Sequence, residues 1–307
     1  MKAMILAAGL GTRLRPLTDT RPKALVELNN RTLLEITITR LRTFGVTEAI
    51  INVHHFAGMV IDYLKSKNNF NMRLEISRED NQLLDTGGGL KKAAWFFQEN
   101  VARGVVPAAL RPPPYSDPAP FFLHNVDVIS NIDLNAMLQF HKDHDALATL
   151  AVQSRPSSRQ LLFNDQLQLS GRRIGDQDFI IGKKLVISSP RTTVISSEAR
   201  NPLLPREGTA SAVPKSNNVE GALAPDVKFS QHLHALAFSG IHLISPRLLP
   251  LLTETGAFSI IDSYLRLASQ GEKILAFRHD NSYWRDLGKP ADLAQAAQDL
   301  QQNALLS

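Results

Sequence analysis

A loop that combines glycine with positive charge follows the first apolar run of the sequence. Gly9 and Gly11 allow backbone N–H groups to approach phosphate oxygens, because no Cβ stands in the way. Arg13 and Lys23 add charge-assisted contacts to a polyphosphate. A dinucleotide fingerprint would need a third glycine where Leu14 stands, and the sequence has no Gly-Lys-Ser/Thr of a P-loop. The loop therefore predicts phosphate binding of another kind.

Two acidic residues stand where they could hold a divalent cation. Asp127 follows the apolar run that begins at Phe121, and Asp286 lies between Trp284 and Gly288. Mg²⁺ takes hard oxygen ligands, usually one or two carboxylates together with phosphates. Such a cation neutralises phosphate charges that otherwise repel an attacking group. A helix cap or a surface ion pair is the alternative interpretation of each acid alone.

A run of three glycines, 87–89, precedes a predicted helix. It would let a nucleobase lie against the backbone, beside the free N–H groups of a helix N-terminus. Gln82 is a candidate for contacting an edge of that base. A flexible turn capped by Asp85 or Thr86 is the alternative. Later in the chain, Gly240 lies within an apolar run, which is typical of a bulge inside a strand.

The pattern Gly9-x-Gly11-Thr12-Arg13-x-x-Pro16-x-Thr18 with Pro22-Lys23 resembles the signature of the sugar-1-phosphate nucleotidylyltransferases. The resemblance covers about residues 1–170 and 235–300. It is closest to the short members that lack a C-terminal β-helix. Among these, the chain is most similar to bacterial N-acetylmuramate-1-phosphate uridylyltransferases and to the mannose-1-phosphate guanylyltransferase-like group.

The resemblance implies Mg²⁺-dependent transfer of a nucleotidyl group from a nucleoside triphosphate to a sugar 1-phosphate. Arg13 and Lys23 would act on the triphosphate, and Asp127 and Asp286 would bind Mg²⁺. The implied nucleotide-binding residues are Leu6, Ala8, Gly9, Gly11, Thr12, Arg13, Gln82, Gly87, Gly88 and Asn125. The implied sugar-phosphate-binding residues are Asp85, Thr86, Arg159, Ser239 and Gly240.

The sequence departs from the family pattern at two places. Val126 stands before Asp127, where most relatives have glycine, and it adds bulk near the expected ribose or metal. A Glu-Lys-Pro segment whose lysine binds the sugar phosphate is absent, and Arg155 and Arg159 are the nearest cations. We expect Arg159 to take the role of that lysine.

The substrates follow from the resemblance alone. UTP with N-acetylmuramate 1-phosphate, or with a related hexose 1-phosphate, is favoured, which indicates cell-wall sugar metabolism. Guanylyl transfer to mannose 1-phosphate is one alternative. A regulatory protein that binds a nucleotide sugar without turnover is another, and it comes from a different functional class.

The elements that must position these residues are strands alternating with helices, which predicts an α/β fold with a doubly wound, mainly parallel, Rossmann-like sheet. The glycine loop would lie at the carboxyl edge of that sheet, where open α/β sheets bind ligands. We expect a single nucleotidylyltransferase domain over residues 1–307. From Ser170 to about Gln231 no period is sustained, which predicts a low-order insertion at about 175–232.

Composition narrows the function further. The absence of cysteine excludes disulfides, thiolate zinc, iron–sulfur clusters and a cysteine nucleophile. The net charge is only +5, and residues 180–228 hold seven Lys and Arg against four acids, so we expect no nucleic-acid partner. No apolar stretch reaches the ~20 residues of a membrane span. We expect a cytoplasmic protein that is a monomer or a small homo-oligomer.

Overall fold

A computed structural model describes residues 1–102, 119–181, 192–195 and 232–302. Its strands are β1 (Lys2–Leu6), β2 (Glu27–Leu28), β3 (Arg31–Thr32), β4 (Glu48–Val53), β5 (Arg73–Arg78), β6 (Phe121–Asn125), β7 (Val128–Ser130), β8 (Ala148–Gln153), β9 (Arg159–Phe163), β10 (Leu169–Ile174), β11 (Gln177–Ile181), β12 (Thr192–Ile195), β13 (His234–Ile244), β14 (Ile274–Arg278) and β15 (Trp284–Asp286). Its helices are α1 (Leu33–Thr43), α2 (Ala57–Ser66), α3 (Asp85–Lys92), α4 (Ala94–Ala102), α5 (Leu134–Asp143), α6 (Ile260–Ser269) and α7 (Pro290–Gln302).

One large sheet runs through the described residues in the order β12-β11-β10-β9-β13-β6-β1-β4-β5, with β8 and β14 branching from β13. The pairs β6–β1, β1–β4 and β4–β5 are parallel. Strand β13 is antiparallel to its neighbours β6, β8 and β9 and joins the parallel part to the β9–β10–β11 part. The α/β architecture confirms the predicted Rossmann-like fold class.

The two faces of the sheet bury separate hydrophobic clusters. Ala3 and Ile5 point into one cluster and Met4 into the other, as the two-residue period of a strand requires. Helices α1, α2, α5 and α7 cover the first face, and α3, α4 and α6 cover the second. Strands buried on both faces explain why the sequence of β1 is an unbroken apolar run.

Side-chain caps fix where several helices begin. Thr32 accepts a hydrogen bond from the backbone N–H of Glu35 at 3.1 Å. Asp133 accepts from the N–H groups of Asn135 and Ala136 at 2.9 and 3.0 Å and caps α5. Such caps satisfy backbone donors that have no partner within the helix.

The structure differs from the sequence-based expectation in two segments. Strands β10 and β11 form a hairpin, and β12 extends it, within the stretch predicted to be without regular structure. The prediction is wrong there because two short strands around Gly175 leave too few residues to establish a period. The rest of the predicted insertion lies outside the described residues. Helix α3 also begins at Asp85, two residues before the glycine run, so the run lies inside the helix that it was predicted to precede. No helix in the described ranges is long and apolar enough to cross a membrane.

Candidate active site

The loop after β1 turns sharply at Gly11. Gly11 has a φ of 66°, and a Cβ on it would lie 2.9 Å from Cγ2 of Thr18. The hydroxyl of Thr18 donates to the carbonyl of Gly11 at 2.9 Å and closes the loop. Only glycine fits this left-handed, crowded position without strain. Gly11 and Thr18 therefore shape the loop that carries Arg13.

The buried side chain of Lys23 projects from a short 3-10 helix that spans Lys23–Leu25. Its Nζ donates to Oδ2 of Asp127, and the two side chains are only 10% and 17% exposed. Asp127 lies in the turn between β6 and β7 rather than at the end of the strand itself. A partly buried ion pair of this kind holds both groups in place, because either charge left alone would be costly.

Asp286 reaches the same place through the β7–β15 pairing. Asp286 lies opposite Val128, and the N–H of Leu287 donates to the carbonyl of Asp127 at 2.8 Å. The N–H of Gly288 donates to Oδ1 of Asp286 at 2.7 Å. The structure therefore brings together the two acids that the sequence separates widely.

Charge around Asp286 is balanced between like and unlike neighbours. Burial, and then the negative charge of Asp127, raise the pKa of Asp286, while Lys23 and Arg13 act in the opposite direction. Arg13 lies close by, since a Cβ on Gly288 would be 2.5 Å from its Nη2. Two carboxylates that repel each other, with only oxygen donors, suit a hard divalent cation. The residues present thus fit Mg²⁺.

Val126 lines a cavity at this site, but its side chain is packed into the hydrophobic core. Its side chain is 4% exposed and belongs to the hydrophobic cluster on one face of the sheet. Its N–H donates to the carbonyl of Leu6 at 3.1 Å, which continues the parallel pairing of β6 with β1. The hydrophobic core therefore accommodates the bulk of the Val126 side chain.

Two cavities open on either side of Asn125, which lines both. The smaller has a volume of about 430 Å³, and its wall includes the predicted residues Leu6, Ala8, Gly9, Lys23, Asp85, Thr86, Asn125 and Asp127. The larger has a volume of about 1030 Å³, and its wall includes the predicted residues Arg13, Asn125, Arg159, Gly240 and Asp286. The two acids therefore lie where the cavities meet.

The wall of the larger cavity includes an aromatic and a cationic side chain that were not among the site residues predicted from the sequence. The guanidinium of Arg155 lies 3.7 Å from the ring centroid of Trp284 and donates to the carbonyl of Phe238 at 2.8 Å. Burial lowers the pKa of Arg155, and the charge of Asp286 opposes that shift. The indole N–H of Trp284 donates to the carbonyl of Ser239 at 2.8 Å. Arg155 is thus fixed in orientation beside Asp286.

Several predicted residues do not reach a cavity wall. Gly87 and Gly88 are buried. A Cβ on Gly87 would overlap the ring of Phe258, and a Cβ on Gly88 would lie 2.5 Å from the carbonyl oxygen of Gly256, so other parts of the protein occupy the space beside both glycines. Ser239 is fully buried, and its hydroxyl lies 2.7 Å from Nε2 of His279. Gln82 is exposed, and neither it nor Gly11 or Thr12 lines either cavity.

Gly240 has a φ of 75° at a break in the β13–β8 register, as the bulge interpretation requires.

A buried polar pair beside the smaller cavity was missed by the sequence reasoning. Oδ1 of Asn52 accepts from the N–H of Ala7 at 2.7 Å, and Nδ2 of Asn52 donates to Oε1 of Glu79 at 2.8 Å. Oε2 of Glu79 accepts from the N–H of Leu84 at 2.8 Å. Glu79 is 1% exposed. The signal in the sequence was a polar residue, Asn52, within the apolar run of β4 and an acid, Glu79, directly after β5.

Comparison with known proteins agrees with this geometry. The sequence model described as Nucleotidyl transferase matches residues 2–161, which is more than half of the chain. The chain belongs to the nucleotidyl transferase family. The match covers the glycine loop, Asp127 and Arg159, whereas Asp286 lies beyond it.

Relatives with known activities match only part of the chain. The chain is 48% identical over 99 residues to N-acetylmuramate alpha-1-phosphate uridylyltransferase of Caulobacter vibrioides, covering 32% of this chain and 41% of that protein. It is 35% identical over 153 residues to mannose-1-phosphate guanyltransferase of Aspergillus oryzae, covering 50% of this chain and 37% of that protein. The matches thus span about two fifths of the relatives' lengths.

Solved structures share the fold over nearly the whole chain. A putative glucose-1-phosphate thymidylyltransferase from Bacillus anthracis superposes with a TM-score of 0.63 at 16% identity, covering 99% of this chain and 96% of that one. HddC from Yersinia pseudotuberculosis, complexed with GMP-PN, superposes with a TM-score of 0.60 at 17% identity, covering 97% of this chain and 99% of that one. At these identities the likeness establishes the fold alone.

Proposed function

We propose that the protein transfers a nucleotidyl group from a nucleoside triphosphate to a sugar 1-phosphate, releasing pyrophosphate. The observation that carries the proposal is the convergence of Arg13, Lys23, Asp127 and Asp286 at the junction of two cavities. A transfer between two phosphorylated substrates needs two adjoining cavities with charge control at their boundary. This arrangement supports nucleotidyl transfer as the activity of this member of the family.

The smaller cavity is suited to the nucleotide, and the larger to the sugar 1-phosphate. The smaller cavity is bounded by the glycine loop, whose backbone N–H groups can approach phosphates. The larger is lined by arginines, including Arg155 and Arg159. We assign the sugar phosphate to Arg159, with the immobilised guanidinium of Arg155 between it and Asp286.

The reaction needs no general base from the protein. A phosphate oxygen of the sugar 1-phosphate is already ionised at neutral pH and attacks the α-phosphorus of the triphosphate. A new P–O bond forms as the bond from the α-phosphorus to the bridging oxygen breaks, and pyrophosphate leaves with that electron pair. Arg13 and Lys23 stabilise the negative charge that develops on the phosphoryl oxygens. Positioning and electrostatics then account for the catalysis.

Asp127 and Asp286 would bind Mg²⁺ in this proposal. The cation would neutralise phosphate charge and orient the reacting groups. Lys23 holds the carboxylate of Asp127 in place, and the N–H of Gly288 holds that of Asp286. These contacts orient the two side chains before any substrate arrives.

We favour UTP and N-acetylmuramate 1-phosphate, or a related hexose 1-phosphate, as the substrates. The 48% identity to the Caulobacter uridylyltransferase supports this choice over guanylyl transfer to mannose 1-phosphate, for which the identity is 35%. We expect the activity in the cytoplasm, where nucleoside triphosphates are made, and as a step in cell-wall sugar metabolism. The monomer or a small homo-oligomer is the expected active form.

The test is a pyrophosphate-release screen of UTP, GTP, CTP and dTTP against several sugar 1-phosphates. We expect release with UTP above all, and a loss of at least about 100-fold in kcat for Arg13→Ala, because one charge-stabilising donor is removed. Arg42→Ala, on the exposed end of α1, is the control and keeps wild-type turnover. Release in no combination would favour a regulatory protein that binds a nucleotide sugar without turnover.

A further inference from the structure

The larger cavity offers more room and more positive charge than a neutral hexose 1-phosphate requires. Its volume of about 1030 Å³ is at the upper end for small-molecule sites, which run to roughly 1,000 Å³. Seven Arg and Lys residues line it, against two acids, Asp286 and Asp292, among the described residues. A substrate that fills such a cavity should carry more than one anionic group.

Some of these cations are already neutralised by the protein. Arg173 binds Asp178 through two hydrogen bonds of 2.5 and 2.8 Å. Arg285 lies 3.0 Å from Asp299. Neither charge is therefore available in full to a ligand. Arg172 is paired as well, with Asp262, but through a single hydrogen bond of 2.7 Å, whereas the side chain of Arg159 has no such partner among the described residues.

Arg159 and Arg172 stand on one face of the β9–β10 hairpin. Arg159 lies opposite Ile174, and Arg172 lies opposite Leu161. Because residues two apart on a strand share a face, the two arginines are diagonal neighbours, with Cβ atoms separated by roughly 7–8 Å. That separation suits two anionic groups at different positions of one sugar ring.

Neither guanidinium is fully satisfied by the described part of the chain. Arg159 has no hydrogen bond or ion pair from its side chain to a described residue. Nη1 of Arg172 donates to Oδ1 of Asp262 at 2.7 Å, while its Nε is buried without a partner. Asp262 lies in the first turn of α6, so this ion pair ties Arg172 to that helix.

The backbone of Arg172 lies roughly 16 Å from the reacting end of the cavity, a distance that its side chain and a substituted sugar 1-phosphate span together. Leu236 of β13 lies beside Leu161, which lies beside Arg172. Gly240, which lies next to Asn125, is four residues further along β13 than Leu236, a distance of about 13 Å. The spacings from β10 to β9 and from β9 to β13 add about 10 Å perpendicular to the strands. The long side chain of Arg172 covers part of that distance.

We propose that Arg172 recognises a second acidic group, a carboxylate, on the sugar 1-phosphate, while Arg159 holds the phosphate. The proposal rests on the proposed function and deepens it by naming the substrate class as an acidic sugar 1-phosphate. N-acetylmuramate 1-phosphate carries such a carboxylate. N-acetylglucosamine 1-phosphate has a hydroxyl in its place, and mannose 1-phosphate has no carboxylate.

The test compares N-acetylmuramate 1-phosphate with N-acetylglucosamine 1-phosphate, by binding calorimetry and by pyrophosphate release with UTP. The wild-type protein should prefer the acidic sugar in both measurements. Arg172→Met should weaken binding and kcat/KM for the acidic sugar by about 10- to 100-fold, the effect of one charge-assisted hydrogen bond, and leave the neutral sugar within about twofold. Arg172→Lys should recover part of the loss.

Arg173→Met, the adjacent residue with its own acidic partner, is the control and should affect the two sugars equally. A wild-type protein that does not distinguish the sugars would overturn the proposal, as would an Arg172→Met variant that weakens both alike. Preferential binding of the acidic sugar without turnover of any substrate would leave the role of Arg172 intact and refute the nucleotidyl transfer instead.

Discussion

The buried pair of Asn52 and Glu79 gives a prediction that depends on hydrogen-bond direction alone. The carboxylate of Glu79 accepts from the amide of Asn52 and from the N–H of Leu84, both at 2.8 Å. In Glu79→Gln one of these two donors must face the new NH₂ group. If Asn52 turns its oxygen towards that group, its own NH₂ then faces the N–H of Ala7. No rotamer satisfies every group in this variant.

The size of the effect follows from one buried donor left unpaired. At 1% exposure no water replaces the lost acceptor, so Glu79→Gln should cost about 2–3 kcal/mol of the free energy of unfolding. For a chain of 307 residues that lowers Tm by about 3–5 °C. Glu75→Gln is the matched control on the same strand, and there the side chain is 38% exposed, so we expect almost no change.

The double variant Asn52→Asp with Glu79→Gln should restore stability. The carboxylate introduced at position 52 would accept from the N–H of Ala7 and from the amide introduced at position 79. The oxygen of that amide would still accept from the N–H of Leu84, so each donor again has an acceptor. Asn52→Asp alone would bring two carboxylates together and should be the least stable variant. Urea unfolding and thermal melts of the three variants measure this cycle. Additive losses in the double variant, or a wild-type melt for Glu79→Gln, would refute the hydrogen-bond assignment.

Two further predictions concern pH and Arg13. Burial lowers the pKa of four histidines, to about 4 for three of them and to about 3 for the fourth. Unfolding restores the ordinary pKa near 6.5, so below that pH the unfolded chain binds more protons than the folded protein. Stability therefore falls as the pH drops from about 6.5 towards 4, by up to about 1.4 kcal/mol per pH unit for each histidine. The four are His124, His141, His242 and His279. Urea midpoints at pH 7 and pH 5 check this, and equal midpoints would contradict it. Gly288→Ala should lower kcat at least about tenfold with little change in Tm, because its Cβ would lie 2.5 Å from Nη2 of Arg13. Gly58→Ala, with open space around it, is the control, and unchanged kinetics for Gly288→Ala would show that Arg13 tolerates displacement.

The sequence was sufficient for the parallel half of the sheet because its strands are buried on both faces. The apolar runs at β1, β4 and β6 are local signals that the sequence carries by itself. The glycine loop was equally legible, since Gly11 occupies a conformation that side chains disfavour.

The meeting of Asp127 with Asp286 has no local signal. It depends on β15 pairing with the three-residue strand β7, and strand register is set by tertiary packing rather than by neighbouring residues. The prediction that these two acids bind one cation came from the resemblance to the family and not from their spacing in the sequence. The packing of Phe258 against Gly87 and of Gly256 against Gly88 likewise has no local signal, because both partners lie in a distant loop.

The most direct test of the account is steady-state pyrophosphate release from UTP and N-acetylmuramate 1-phosphate, with Mg²⁺ present and with it chelated. Asp127→Asn and Asp286→Asn are compared with wild type and with Asp62→Asn, a control on the exposed side of α2. The account predicts Mg²⁺-dependent release that both site variants reduce by at least about 100-fold while Asp62→Asn does not. Near-wild-type release by folded Asp127→Asn would contradict it.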